Sequence, residues 1–144
     1  MKILIDTCVI IDLLQKREPF FESAHKIFLS AANERFEAAI TAKSAADIYY
    51  LTHRVLHDKE KTRSVIGSLF KLFTVLDTTA FDCKNALLSE TPDYEDALMI
   101  ETAVRSGYDG IVTRNLKDYA KASVRVFAPE EFLSELENAE RGDE

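Results

Sequence analysis

The chain has 144 residues, 47% hydrophobic and 30% charged, which fits one soluble domain with its own core and excludes disordered and collagenous classes. No apolar run approaches the roughly 20 residues needed to cross a bilayer, and the N-terminus enters directly as a strand, so no membrane association and a cytoplasmic location are expected. The net charge is −7, but residues 130–144 alone hold seven acids and one base; the body is near neutral, and the low pI weakens a nucleic-acid partner without excluding one.

In chain order, Lys2–Asp6 reads as a buried strand and Cys8–Gln15 as a helix with Val9, Ile10, Leu13 and Leu14 at helical spacing. Pro19 suits the first turn of a second helix that turns Phe20, Ala24, Ile27, Phe28 and Ala31 to one side. Ala38–Thr41 is a short strand, and Ser44–His57 and Lys59–Lys71 are helices. Phe73–Leu76 is a strand closed by the capping run Asp77-Thr78-Thr79, and Ala80–Ser89 is helical. Pro92 restarts the chain, Asp93–Ser106 is a periodic helix, and Gly107 is its expected C′ residue. Gly110–Thr113 is a strand, Leu116–Ala120 a helical turn, and Val124–Phe127 the last strand. Pro129 opens a terminal helix with Phe132, Leu133 and Leu136 inward. The chain from Asn138 is expected to fray, so residues 1–137 form one domain and 138–144 a flexible acidic tail.

Strands alternating with helices predict a three-layer α/β/α domain around a mostly parallel sheet of four to five strands. In such a sheet the strand C-termini share one edge, where sites form. Asp6 follows the first strand and Asp47 lies early in the helix after the second. Asp96 lies in the first turn of the helix before the fourth, and Thr113, Asn115 and Asp118 follow that strand. Carboxylates crowded together repel one another, and a hard cation such as Mg²⁺ or Mn²⁺ relieves that repulsion. The two cysteines, Cys8 and Cys83, lack zinc spacing and read as reduced thiols.

Each acid also has a plainer reading. Asp6 and the Asp93/Asp96 pair sit where helix caps and dipole-complementing acids belong. Asp12 and Asp77 read as structural. Arg114 and Lys117 are candidates for phosphate binding. The basic run from His53 to Arg63 fits a solvated helix face as well as a phosphate rim, and Tyr49 and Tyr50 fit packing as well as base stacking.

The segments Ile3-Leu4-Ile5-Asp6-Thr7-Cys8-Val9-Ile10-Ile11-Asp12-Leu13-Leu14, Asp93-Tyr94-Glu95-Asp96-Ala97-Leu98 and Ile111-Val112-Thr113-Arg114-Asn115-Leu116-Lys117-Asp118-Tyr119 resemble the signature blocks of a PIN domain, in order and spacing. The resemblance implies a metal-dependent ribonuclease, commonly the toxin of a VapBC-type toxin–antitoxin pair. It implies Asp6, Asp47 and Asp96 as the acids holding Mg²⁺ or Mn²⁺, with Thr113 and Asn115 completing the pocket; Asp93 and Asp118 are candidate accessory acids beside them. It further implies a homodimer and an antitoxin peptide that enters the acid-lined groove. Three positions depart from the family pattern: Asp47 stands where Glu is common, Cys8 where Asn or Ser is, and Asn115 where a fourth Asp is.

Two other functions compete. One is a catalytically weak or inactive PIN-like module that binds RNA or protein. The other is a receiver-like phosphoacceptor domain, mimicked by Asp77 and Thr113. A receiver also needs an acidic pair after the first strand, where Thr7-Cys8 stands, and a Lys after the last, where Phe127-Ala128-Pro129 offers none.

Overall fold

The computed structural model describes residues 1–119 and 122–142, without the side chain of Asp118. The elements run β1 (Lys2–Ile5), α1 (Thr7–Leu14), α2 (Phe21–Ala32), β2 (Glu37–Thr41), α3 (Ala42–Leu56), α4 (Lys59–Leu72), β3 (Thr74–Leu76), α5 (Ala80–Ala86), α6 (Tyr94–Arg105), β4 (Gly110–Val112), a 3₁₀ turn (Leu116–Tyr119), β5 (Arg125–Phe127) and α7 (Pro129–Gly142). The described strands form one sheet of five in the order β3-β2-β1-β4-β5, every neighbouring pair parallel. The expected architecture holds, and the sheet is wholly rather than mostly parallel.

β1 is central because Ile3, Leu4 and Ile5 are apolar on both faces and fully buried. Burying each such side chain favours folding by about 1.5–3 kcal/mol. Alternation along the strands sorts the core into two layers. Ile3, Ile5, Ala38, Ile40, Val112 and Phe127 pack with Val9, Ile27, Ile48, Leu69 and Phe132, so α1–α4 and α7 cover one face. Leu4, Ala39 and Ile111 pack with Met99, Ile100 and Ala103 of α6 on the other. Gly110 lets β5 approach: a Cβ there would stand 2.9 Å from the Phe127 ring and 3.1 Å from the Arg125 carbonyl oxygen.

Four element ends differ from expectation by two residues or more. Phe21, not Pro19, begins α2, so the proline lies ahead of the helix. Thr41 Oγ1 accepts from the Ser44 N–H at 3.0 Å, which starts α3 at Ala42, two residues early. α5 stops at Ala86, since Leu87 and Leu88 are 75% and 84% exposed and have no core to extend along. α7 continues to Gly142 instead of fraying at Asn138. There Arg35 clasps Glu140 through two hydrogen bonds of 2.6 and 2.9 Å, and Glu137 sits one turn from Arg141.

Candidate active site

Asp6, Asp47 and Asp96 stand on the wall of one cleft of about 350 Å³, shared with Thr7, Thr41, Lys43, Ser44, Tyr50, Arg54 and Glu95. β1 ends at Asp6, β2 runs into the helix carrying Asp47, and α6 carries Asp96 in its first turn. Parallel strands bring these distant segments to a common edge, beside the β1–β4 pairing where the chain order reverses.

Asp6 occupies the N-cap position of α1 but makes no capping hydrogen bond. Its Oδ2 accepts instead from Thr113 Oγ1 at 2.6 Å and from Cys8 Sγ at 3.5 Å. Capping therefore does not account for it. Burial pushes its pKa above the ordinary carboxylate value, against the pull of the Thr113 and Cys8 hydrogen bonds. Burial and the Asp6 charge in turn push the Cys8 thiol up to about 11, so Cys8 serves as a weak donor and not as a thiolate. Thr113 Oγ1 also accepts from the Asn115 N–H at 3.1 Å, tying the turn after β4 to Asp6.

Asp96 Oδ1 accepts from Tyr119 O–H at 3.0 Å, and the Asp96 N–H donates to Asp93 Oδ1 at the same distance. Asp93 thus caps α6. Tyr119 is 3% exposed; burial, followed by the charges of Asp6 and Asp96, drives its pKa far upward, which fixes it as a donor. Sequence reasoning missed Tyr119, whose only signal was its position in the block after β4.

Asp47 is engaged differently. Lys43, one turn earlier on α3, donates from Nζ to Asp47 Oδ2 and to Glu95 Oε1, the latter at 2.8 Å. Burial disfavours the ammonium, but the hydrogen bonds to Asp47 and Glu95 raise the Lys43 pKa overall. Thr7 Oγ1 donates to Ser44 Oγ, and Thr41 Oγ1 to the same oxygen, each at 3.0 Å, so one hydroxyl cluster joins the starts of α1 and α3 at the cleft floor.

The PIN domain family matches residues 2–117. The chain belongs to the PIN domain family. The structure is similar to DNA-bound VapBC from Salmonella typhimurium (TM-score 0.67, 18% identity, covering 90% of this chain and 98% of that one). It is similar to a toxin–antitoxin complex from Klebsiella pneumoniae (0.64, 21%, 88% and 96%) and to the sarcin–ricin loop cleaving toxin VapC20 of Mycobacterium tuberculosis (0.60, 14%, 76% and 86%). No curated protein sequence matches the chain significantly.

This PIN domain treats the remaining expected site residues unevenly. Arg114 was expected to meet phosphate; it forks onto Asp12 at 2.5 and 3.1 Å and stacks 3.9 Å from the Phe20 ring centroid. Asp12, 1% exposed, demands that partner. Lys117 is exposed on the 3₁₀ turn and does not line the cleft, and Asn115 is exposed beside it. The side chain of Asp118 lies outside the described residues. Arg54 and Tyr50, both on the cleft wall, are the cation and aromatic ring that Asp47 brings with it by helical spacing. Asp77, the residue behind the receiver-like alternative, is exposed off the cleft, and its carbonyl accepts from Arg105 at 2.7 Å.

The donor set suits a hard divalent ion in kind: carboxylates and hydroxyls, with one carboxylate pushed toward protonation by burial. It is not gathered into a ligand cage. Among the described residues, no three acidic, histidine or cysteine side chains lie close enough together to hold a metal ion. Among the described residues, no helix is long and apolar enough to cross a membrane.

Proposed function

We propose that this PIN domain is a Mg²⁺- or Mn²⁺-dependent endoribonuclease, acting as the toxin of a toxin–antitoxin pair. The observation that carries the reading is the meeting of Asp6, Asp47 and Asp96, from three separate parts of the chain, on one cleft wall. A divalent ion held by these carboxylates would polarise a phosphate and lower the pKa of the attacking water. The chain's own residues do the rest. Thr113 and Cys8 orient the Asp6 carboxylate, and Tyr119 orients Asp96. Tyr50, 69% exposed at the cleft, offers a ring face to an unstacked base, and Arg54 offers charge to the backbone. Binding through such cations weakens with salt.

The Klebsiella and Salmonella relatives support a protein antitoxin as the inhibitory partner. A homodimer and a cytoplasmic location belong to the same proposal. Size-exclusion with light scattering tests the dimer, and a small adjacent reading frame encoding a DNA-binding protein would support the pairing.

Cleavage of RNA by the wild type in Mn²⁺, its loss in chelator, and a fall of at least about a hundredfold in Asp6→Asn are the expected results. Equal cleavage by wild type and Asp6→Asn would discredit the assignment. A second reading, a module that binds RNA or protein without cutting it, is favoured by one observation: Asp47 already carries an ammonium. RNA binding by a folded wild type with no cleavage at any Mn²⁺ concentration would establish it.

A further inference from the structure

A cation already stands among the cleft acids. Lys43 Nζ bridges Asp47 and Glu95, while Asp6 and Asp96 are held by hydroxyls from Thr113 and Tyr119. The bridge is wet: the side chains of Lys43 and Asp47 are 36% and 39% exposed, and that of Glu95 is 70% exposed. Ion pairs of this kind exchange easily and hold their partners weakly. The structural duty of residue 43 lies elsewhere, in its backbone N–H, which donates to Thr78 Oγ1 at 3.2 Å. The side chain is therefore separable from the fold.

Its placement has an electrostatic consequence. A divalent ion drawing on Asp47 would lie within a few ångströms of the ammonium, where like charges oppose each other strongly in a partly enclosed cleft. The same bridge tethers Asp47 to Glu95, on the rim, and not to Asp6 and Asp96. Among the described residues the acids form no closed three-acid cage.

We propose that Lys43 is a built-in counter-cation that competes with the divalent ion for Asp47, so that the ion completes the three-acid set only by displacing the ammonium. The proposal rests on the metal-dependent reading above. Lys43 is then a positioning residue: it acts through Asp47 and sets the cation concentration at which the cleft loads.

The test is Mn²⁺ binding, read from the free-ion electron paramagnetic resonance signal without RNA. Five chains are compared: wild type, Lys43→Met, Asp47→Asn, the double variant, and Lys43→Arg as a charge-retaining control. Lys43→Met keeps the aliphatic stem, and thermal melting verifies that each variant is folded. The expected result is affinity about tenfold tighter in Lys43→Met, the scale of one exchangeable ion pair plus one removed repulsion. Lys43→Arg should stay near wild type, and the gain should fall to about twofold or less in the Asp47→Asn background, because coupled partners lose their effect together. Wild-type affinity in Lys43→Met would overturn the competition and leave the metal reading standing. An equal gain in both backgrounds would reduce Lys43 to a distant charge and overturn it too. No Mn²⁺ binding by any of the chains would remove the metal reading and this proposal with it.

Discussion

Two kinds of acid–base contact coexist in this molecule. Away from the cleft, Arg114 grips Asp12 and Arg105 grips Asp82, each with a two-pronged guanidinium on a carboxylate that is 1% or 0% exposed. In the cleft, a single flexible ammonium touches two carboxylates that remain in water. The fork pairs are fixtures, since losing the cation strands a buried charge. The lysine pair is replaceable, since solvent or another cation can take its place. The fork pairs hold the fold, while the exchangeable pair lies in the cleft for which a metal-dependent function is proposed.

The sharpest way to break this contrast is Arg114→Met. It leaves Asp12 buried without its cation, and urea denaturation should register a loss of about 3–5 kcal/mol. Arg105→Met should cost somewhat less, roughly 3 kcal/mol, because Asp82 keeps its hydrogen bonds from the Thr79 N–H and the Thr102 hydroxyl. That variant should also change the acid limb of stability. Burial favours the protonated form of Asp82, but Arg105 and Thr79 outweigh it and hold the pKa below 3.8. The wild type therefore has this contribution in full above the ordinary carboxylate range and loses it as the pH falls through the lowered value. Without Arg105 the largest lowering influence is gone, so the stability gap between the two proteins should narrow as the pH is lowered. Smallest of all is Lys43→Met, whose effect on unfolding should stay under about 1 kcal/mol. A loss as large as that of Arg114→Met would erase the distinction between the two kinds of pair.

The layers and the positions of Asp6, Asp47 and Asp96 were readable because they rest on local patterns: apolar strand runs, helical spacing and strand-end acids. The partner of Arg114 was not, because Asp12 lies 102 positions away and an arginine beside a presumed pocket looks like a phosphate ligand. Tyr119 was overlooked for a related reason, as its hydroxyl reaches Asp96 only once β4 and α6 are packed. Lys43 was legible in principle. It stands four residues before Asp47 on the same helix face, with Tyr50 and Arg54 further along, and reading the acid as part of a stripe would have found all three. The terminal helix outran expectation because its last turns are held by Arg35, a contact no local pattern contains.

Thr113 and Arg114 are adjacent, yet they hold opposite ends of α1: one reaches Asp6 ahead of its first turn, the other Asp12 in its last. A dipeptide thus acts as a staple across a whole helix, and the cleft acid Asp6 and the buried acid Asp12 share a single clasp. Loosening the end of β4 would free both together, so a hydrogen-exchange measurement should find amide protons of the first helix and of the turn beyond β4 opening as one unit.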